Sequence, residues 1–315
     1  MRDDFAIFIL THGRADIELT TATLEKCGNT NRIYYIIDNE DKTAENYYRK
    51  FGKENVIMFD KLEKAKTCDT MDNLQNRNIV LFARNSCFEI AKSLGLTYFL
   101  ELDDDYTTFR SRTFVDGYLN TVYVRDFDSI VDCVLEFLDV SGATTVAFGQ
   151  TGDYIGGKDS KLYKNKVLRK AMNSFFCRVD RPFEFYGRIN EDVNAYVTLG
   201  SRGKLFFTIH DIALNQQDTQ QRSGGLTDAY LELGTYVKSF YTVMANPSCV
   251  KISEMGDNHR RIHHRIDWEC AVPKIISGRY RKEKQYAKSN QNTNKSAYQK
   301  TRQKCSKRED EKKRY

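Results

Sequence analysis

Short apolar runs alternate along this chain with segments of helical periodicity, and this alternation limits the possible folds more than any other feature. The apolar runs are rich in β-branched and aromatic residues and predict six strands. They lie at 5–10, 33–37, 56–59, 98–102, 144–148 and 205–209. Amphipathic stretches between them, of which 78–94 and 127–138 are the clearest, predict helices. The pattern indicates an α/β fold with a Rossmann-like, largely parallel central sheet flanked by helices on both faces.

The last 37 residues differ in composition from the rest of the chain. Residues 279–315 hold 14 Lys and Arg but only 4 Asp and Glu, a balance of +10, which leaves about −4 of the net charge of +6 for residues 1–278. With almost no aliphatic residue, this segment cannot bury enough surface to offset its ordering entropy. We therefore expect one folded domain over 1–278 and a flexible basic tail over 279–315. The tail is either a solubilising extension or an arm that binds a polyanion.

Neither a membrane span nor an export signal is expected. The longest early apolar run, 5–10, is far below the roughly 18–20 residues of a span, and Asp3 and Asp4 precede it where a signal peptide carries basic residues. The 8 cysteines stand singly, without CxxC pairs, in a chain large enough to need no disulfides. These features predict reduced thiols and a cytoplasmic protein.

Carboxylates gather where the predicted strands end. Asp103, Asp104 and Asp105 follow the fourth strand, and Asp38 follows the second. Ligands of open α/β sheets bind beyond the carboxyl ends of the strands, and three adjacent carboxylates repel one another unless a cation neutralises them. A hard divalent ion that also bridges phosphate oxygens suits this pattern. The alternative is a solvated acidic turn, because Asp is common at strand ends.

An acidic pair in the second half of the chain is a candidate for proton transfer. Asn190 precedes Glu191 and Asp192 at the start of a predicted helix. This is the pattern of an N-cap followed by two acids in the first turn, which has a purely structural role in most proteins. The same placement keeps a carboxylate ionised at neutral pH, as a general base for an alcohol requires. Both interpretations stay open from the residues alone.

Two further kinds of motif stand in the second half. His263 and His264 lie in a stretch that also holds His259, Arg261 and Arg265, which suits metal ligation, a diphosphate clamp or an ordinary basic surface turn. Glycines recur at 149–158 and at 222–230. Such strings form either loops that face an acceptor or ordinary turns.

Seven strings occur in a fixed order over about residues 5–278. They are FAIFILTHGRAD, IDNEDKT, ARNSCFEIA, YFLELDDDYTTFR, INEDVNAYV, SGGLTDAYLELGTYVKSFY and IHHRIDW. In these motifs and their order the chain resembles the TET-associated glycosyltransferase family. The resemblance implies a GT-A fold, in which about 1–110 binds a nucleotide-sugar and about 111–278 binds the acceptor. It also implies an origin in a bacteriophage and a role in DNA modification, in which a sugar is added to a 5-hydroxymethylpyrimidine.

The resemblance implies a donor site at the acidic motif. Mn²⁺ or Mg²⁺ would be held by Asp103 and Asp105 with Asp104 close by, and His263 or His264 would complete the metal shell. The chain reads DDD where many relatives read DxD. The expected ligand is a nucleotide-sugar, with UDP as its leaving group. The residues expected to bind it are Thr11, His12, Gly13, Arg14, Asp38, Arg84, Asp103 and Asp104.

The expected acceptor is DNA that carries a hydroxymethylated pyrimidine. By resemblance, Asp192 of the Glu191-Asp192 pair is the base that deprotonates the acceptor hydroxyl. One base acting in a single in-line displacement gives inversion, and retention is the alternative. The residues expected near the acceptor are Gly156, Gly157, Gly224, Gly225, Thr227, Asp228, Arg261 and Arg265. A glycosyltransferase acting on a glycan or a protein, and a non-catalytic nucleic-acid-binding protein, are the alternatives.

Overall fold

The structure is a computed structural model that describes residues 2–116, 118–151, 159, 170–216, 226–255 and 260–273. Its strands are β1 Phe5–Leu10, β2 Ile33–Asp38, β3 Val56–Phe59, β4 Tyr98–Asp103, β5 Tyr106–Val115, β6 Tyr118–Tyr123, β7 Thr145–Gln150, β8 Ser174–Arg178, β9 Phe206–Gln216, β10 Val250–Met255 and β11 Arg261–Ile266. Its helices are α1 Thr20–Lys26, α2 Ala44–Phe51, α3 Lys61–Ala65, α4 Leu81–Ser93, α5 Phe127–Ser141, α6 Glu191–Ser201, α7 Leu226–Ala245 and α8 Trp268–Ala271. All six predicted strands and both predicted helices are present. Their ends match or are shifted by at most three residues, except for β9, which extends seven residues beyond the predicted end.

A nine-stranded sheet forms the centre of the fold, in the order β3-β2-β1-β4-β8-β7-β9-β5-β6. The first four strands in this order, β3, β2, β1 and β4, are all parallel to one another. Leu10, the last residue of β1, lies opposite Asp103, the last residue of β4. The carboxyl ends of β1, β2 and β4 therefore meet at one edge of the sheet. The sequence predicts its polar motifs at this edge.

Beyond β4 the sheet is mixed. Strand β8 is antiparallel to both β4 and β7, whereas β9 is parallel to β7 and antiparallel to β5, which forms a hairpin with β6. The predicted α/β class is thus confirmed, with the parallel arrangement concentrated in the first half of the chain. Strands β10 and β11 form a separate antiparallel pair.

Helices cover both faces of the sheet, as the continuous apolar strands predict. Along β1, Phe8 belongs to one buried cluster, which includes residues of α4, whereas Ile7 and Ile9 belong to a second, which includes residues of α5. Successive side chains of a strand point to opposite faces, so each face needs its own apolar cover. Every residue of β1 is buried as a result.

One compact unit spans Met1–Ile275. All residues of the second unit, Ile276–Tyr315, lie outside the described residues. The flexible basic tail and the domain boundaries thus stay predictions. Within the described part of the chain, no helix is long and apolar enough to cross a membrane. The seven cysteines in that part are all free thiols, in agreement with the sequence.

Candidate active site

The acidic motif lies at the carboxyl end of β4 and is linked to the loop after β1. Asp103 is the last residue of β4, and Asp104 and Asp105 form the turn that leads into β5. Thr11 donates a hydrogen bond from Oγ1 to Asp104 Oδ2 at 2.7 Å, and Arg14 Nη1 lies 3.2 Å from Asp104 Oδ1. The middle acid is therefore buried and already neutralised by protein groups.

The loops after β1 and β2 are joined by charged groups. His12 Nδ1 lies 2.7 Å from Asp38 Oδ2, and the buried Lys61 Nζ lies 2.9 Å from Asp38 Oδ1. Gly13, at a φ of 69°, donates its N–H to Asp41 Oδ2 at 2.7 Å. Burial acts to raise the pKa of Asp38, but the hydrogen bonds from His12 and Lys61 outweigh it and lower the pKa below its usual value. Asp38 is thus held as a carboxylate at this edge of the sheet.

Arg84 joins the acidic motif to the acidic pair of α6. In β4, residues 101 and 103 point to the face that α4 covers, because side chains alternate along a strand. Arg84, on α4, lies with Nη2 2.9 Å from Asp103 Oδ1, Nε 3.0 Å from Glu191 Oε1 and Nη1 3.6 Å from Glu101 Oε2. Only 2% of Arg84 is exposed. One buried guanidinium therefore lies among three carboxyl groups from two separate motifs.

Carboxyl groups outnumber cations at this edge, and the pKa values reflect it. Burial raises the pKa of Glu101 to about 8, although Arg84 acts against this shift. Burial, reinforced by Asp103 and Asp104, raises the pKa of Asp105 to about 7. Burial also raises the pKa of Asp103, again against the effect of Arg84. These carboxyl groups therefore tend to hold protons, and an added cation would favour their ionised form.

The acidic pair at the start of α6 follows an N-cap residue that makes no side-chain capping bond. Asn190 occupies the N-cap position in a left-handed conformation with a φ of 56°, and its side chain makes no capping bond. Its Nδ2 instead donates to the carbonyl of Lys238 at 2.8 Å, which ties this turn to α7. Glu191 and Asp192 are both buried. Asn190 and the two acids thus lie where the N-cap interpretation puts them, but the side-chain capping bond that it expects is absent, and the role of the acids stays a prediction.

Burial has the largest effect on the pKa values of the acidic pair. It raises the pKa of Glu191, with a further contribution from the Asp192 carboxylate and an opposing one from Arg84. It also raises the pKa of Asp192, against the effects of Arg84 and of the Val193 N–H, which donates to Asp192 Oδ1 at 2.7 Å. At this helix start, desolvation therefore has a larger effect on the pKa of both acids than the groups that favour their ionised form.

Asp105 has the donor atom best suited to a divalent metal. Its Oδ1 is buried, and among the described residues no group donates a hydrogen bond to it. A second oxygen ligand could come from Asp103, which Arg84 binds through Oδ1. Within the described ranges no group of three or more His, Cys, Asp or Glu is arranged to hold a metal. Mg²⁺ is usually bound by one or two carboxylates together with substrate phosphates, and these residues fit that mode.

His263 and His264 lie on β11, opposite Ser253 and Ile252 of β10. For residues 261–266 the interpretation as a surface turn is therefore wrong, whereas His259 lies outside the described residues. Burial, together with the charges of Lys170 and Lys238, lowers the pKa of both rings, to about 4 for His263 and about 3 for His264. A lowered pKa keeps an imidazole neutral, which is the form that ligates a metal, and the metal role of the two histidines stays a prediction.

The residues expected near the acceptor are only partly described. Gly156, Gly157, Gly224 and Gly225 lie outside the described residues. Thr227 and Asp228 lie in the first turn of α7, a helix interrupted at Gly234, where φ is 76°. Arg261 and Arg265 are exposed on β11. The structure thus places the two arginines on the same strand as the histidine pair.

Sequence reasoning missed several polar residues that complete the site. Glu101 is fully buried inside β4, and Lys61 and Asp41 hold the loops after β1 and β2. Glu101 had a readable signal, because it is a charged residue in the otherwise apolar run YFLEL. A carboxyl group in a strand buried on both faces needs a partner, and that requirement points to a cation such as Arg84.

A sequence model described as TET-associated glycosyltransferase matches residues 5–225. A search of curated proteins found no match. Among solved structures, glucosyl-3-phosphoglycerate synthase from Mycobacterium tuberculosis with Mn²⁺, UDP and phosphoglyceric acid is 9% identical, with a TM-score of 0.44, covering 86% of this chain and 88% of that one. The same enzyme with Mg²⁺ and UDP is 8% identical, with a TM-score of 0.42 and the same coverage.

Proposed function

The chain belongs to the TET-associated glycosyltransferase family, and from this premise we propose that it transfers a sugar from a nucleotide-sugar to the hydroxyl of a 5-hydroxymethylpyrimidine in DNA. Membership makes the protein a glycosyltransferase. This excludes the alternative of a non-catalytic nucleic-acid-binding protein. The UDP leaving group, the metal and the DNA acceptor belong to the proposal.

The observation that carries the proposal is the link through Arg84. Its guanidinium contacts Asp103 of the acidic motif at 2.9 Å and Glu191 of the acidic pair at 3.0 Å. A glycosyl transfer needs charge neutralisation at the leaving group and a base at the acceptor in one site. The two motifs that could supply these functions are therefore close enough to act on one substrate pair.

We assign the donor to the edge formed by the loops after β1, β2 and β4. Asp38, kept ionised by His12 and Lys61, can accept hydrogen bonds from a nucleobase or ribose. Arg14, 3.2 Å from Asp104, lies at the same edge and can serve the nucleoside or its phosphates. Gly13 leaves this loop open, because a Cβ there would meet no atom within 4 Å.

Asp105 and Asp103 are the residues that would hold Mn²⁺ or Mg²⁺. The buried Oδ1 of Asp105, which lacks a hydrogen-bond partner in the described part of the chain, supports this assignment. When bound, the metal supplies positive charge for the leaving diphosphate. Thr11 and Arg14 contribute indirectly, because they hold Asp104 in a fixed position beside this carboxylate.

Asp192 is the proposed base. Glu191 is occupied by the Arg84 guanidinium, whereas Asp192 accepts a hydrogen bond only from the neighbouring backbone among the bonds described for it. A carboxylate whose pKa is raised by burial is a stronger base, which favours removal of the hydroxyl proton. The acceptor oxygen would bond to the anomeric carbon as the bond to the diphosphate oxygen breaks, with inversion at that carbon.

Nucleoside mass spectrometry tests the proposed function. The purified protein would be incubated with Mn²⁺, a panel of nucleotide-sugars and DNA containing 5-hydroxymethylcytosine or 5-hydroxymethyluracil. We expect a hexose or pentose mass added to the hydroxymethylated nucleoside, and none added to unmodified DNA. The Asp192→Asn variant should lose the product, whereas Asp132→Asn, at an exposed acid of α5, should keep it. Transfer to a glycan or protein but not to DNA would refute the proposed acceptor.

A further inference from the structure

Strands β10 and β11 form a two-stranded ribbon whose two faces differ. Val250, His264 and Ile266 are buried on one face. Lys251 and Arg265 lie directly opposite each other in the antiparallel register, so both side chains belong to the other face, where both are exposed. The ribbon therefore packs onto the body through its buried face and presents positive charge on its outer face.

Arg261 extends this positive charge along β11. It lies four residues before Arg265, and because side chains alternate along a strand the two arginines are on the same face. Arg261 is exposed as well. Among the described residues, none of Lys251, Arg261 and Arg265 forms an ion pair. We call the surface defined by these three residues the basic face.

The described acids next to the basic face have other partners. Glu254 lies within 3.6 Å of Arg260, and Asp267, which directly follows β11, accepts a backbone N–H of α8 at 3.0 Å. Like charges placed directly opposite each other in a sheet, such as Lys251 and Arg265, are destabilising. A bound anion would offset this repulsion, so the basic face is suited to a ligand with several negative charges.

Helix α7 connects the ribbon to the proposed base. Ser239 Oγ donates to the carbonyl of Ile262 in β11 at 3.1 Å. The carbonyl of the preceding helix residue, Lys238, accepts a bond from Asn190 Nδ2 at 2.8 Å. Asn190 directly precedes the acidic pair that includes Asp192. One helix thus holds both the ribbon and the turn that carries the proposed base.

We propose that the basic face binds phosphates of the acceptor DNA beside the modified nucleotide. Arg261 and Arg265 are four residues apart, which is about 13 Å along a strand at roughly 3.4 Å per residue. One strand of duplex DNA carries a phosphate about every 3.4 Å along the helix axis, so the face matches about four phosphate steps. An acidic protein segment is the other class of ligand, and DNA is favoured because its charges repeat regularly over this length. The choice of DNA rests on the proposed function.

DNA binding by the full-length protein tests the basic face separately from catalysis. Fluorescence anisotropy would give the Kd for unmodified duplex DNA at about 50 and 200 mM salt. The double variant Lys251→Gln/Arg265→Gln should bind about 10- to 100-fold more weakly at the lower salt concentration, because two phosphate contacts are lost. Each contact contributes about 0.9 to the log–log slope, so between the two salt concentrations the wild type should lose about 12-fold more affinity than the variant.

The double variant Arg49→Gln/Lys92→Gln is the matched control, because it removes the same charge elsewhere. Both residues are exposed in the last turns of α2 and α4, far along the chain from β10 and β11. This control should keep the affinity and the salt slope of the wild type. Melting curves should show the basic-face variant to be no less stable than the wild type, because its substitutions remove a like-charge pair.

Kinetics with hydroxymethylated DNA complete the test. The basic-face variant should raise the KM for DNA by a factor similar to its loss of affinity, and leave the KM for the nucleotide-sugar unchanged. DNA affinity and salt slope equal to those of the control would overturn the proposal, and so would an increase in the KM for the nucleotide-sugar alone. If DNA binding changes as expected but the wild type modifies no DNA, the basic face is supported as a DNA-binding surface, whereas the proposed acceptor is wrong.

Discussion

Replacing Arg84 with methionine should destabilise the fold in a way that depends on pH. The guanidinium is 2% exposed and lies within 3.0 Å of both Asp103 and Glu191. Its Cζ also lies 5.4 Å from the ring centre of Phe175, a cation–π contact that a methionine side chain of similar volume would replace with a sulfur–aromatic contact. The substitution therefore removes a charge with little loss of volume. Removing one partner of a buried ion pair costs about 3–5 kcal/mol, a large fraction of the roughly 5–15 kcal/mol by which a domain is stable.

The sign of the pH dependence follows from the carboxyl groups left behind. Arg84 lowers the pKa of Asp103, Glu191 and Glu101 in the folded protein, and burial already raises all three. Without Arg84 these values rise further above those of the unfolded chain. The folded variant then binds protons that the unfolded chain has released, so stability is lost as pH rises, by up to about 1.4 kcal/mol per pH unit for each group.

Urea unfolding at pH 5.5 and 7.5 measures this effect. We expect Arg84→Met to lose less unfolding free energy at pH 5.5 than at pH 7.5, each relative to wild type at the same pH. Arg77→Met is the matched control, because Arg77 pairs with Glu40 at 2.6 Å on the surface, where such a pair contributes about 0–1 kcal/mol. The reasoning would be refuted if Arg84→Met lost no more unfolding free energy than Arg77→Met, or if its loss did not change with pH.

Three further predictions concern the proposed reaction. Asp105→Ala and Asp103→Ala should each abolish transfer and weaken Mn²⁺-dependent UDP binding in calorimetry, and wild-type metal dependence in both would contradict the metal assignment. Asp192→Asn should lower turnover about 10²- to 10⁴-fold with UDP binding kept, whereas a larger loss in Glu191→Gln would move the base to Glu191. Removing residues 279–315 should leave the rest of the chain folded. It should also reduce the slope of log DNA affinity against log salt concentration by about 0.9 for each lost phosphate contact. Equal slopes for the full-length and truncated proteins would identify the tail as a solubilising extension.

The parallel half of the sheet could be predicted from the sequence because each of its strands is a continuous apolar run. Strands β1 and β3 begin and end at the predicted residues, and β4 extends only one residue further, to Asp103. A strand buried on both faces is apolar at nearly every position, with Glu101 of β4 as an exception, so composition largely reveals it. Strand β6 lacks that signal, because nearly all of its residues are exposed. Strand β8 is apolar, but its antiparallel direction follows from its neighbours and not from its own residues.

The acidic motif of the site could also be predicted, whereas its partners could not. Asp103–Asp105 are visible because three consecutive carboxylates after a strand are rare and costly without a cation. The sequence around Lys61 gives no comparable signal, since a lysine at the start of a short polar helix is normally exposed to solvent. Its contact with Asp38 depends on β2 and β3 lying side by side, which only the tertiary arrangement provides.

The histidine pair illustrates how surroundings decide a role that residue type leaves open. Imidazole binds a metal or an anion according to its protonation and to the charges nearby. The sequence of β11 shows only that arginines lie next to the two histidines in the chain. One of them, Arg265, is exposed in the structure. Lys170 and Lys238, whose charges also lower the pKa of His263, lie far from β11 in the chain, and Lys238 belongs to α7, whose Ser239 contacts Ile262. Because Lys170 also lowers the pKa of Asp192, its charge favours the ionised form of the proposed base as well.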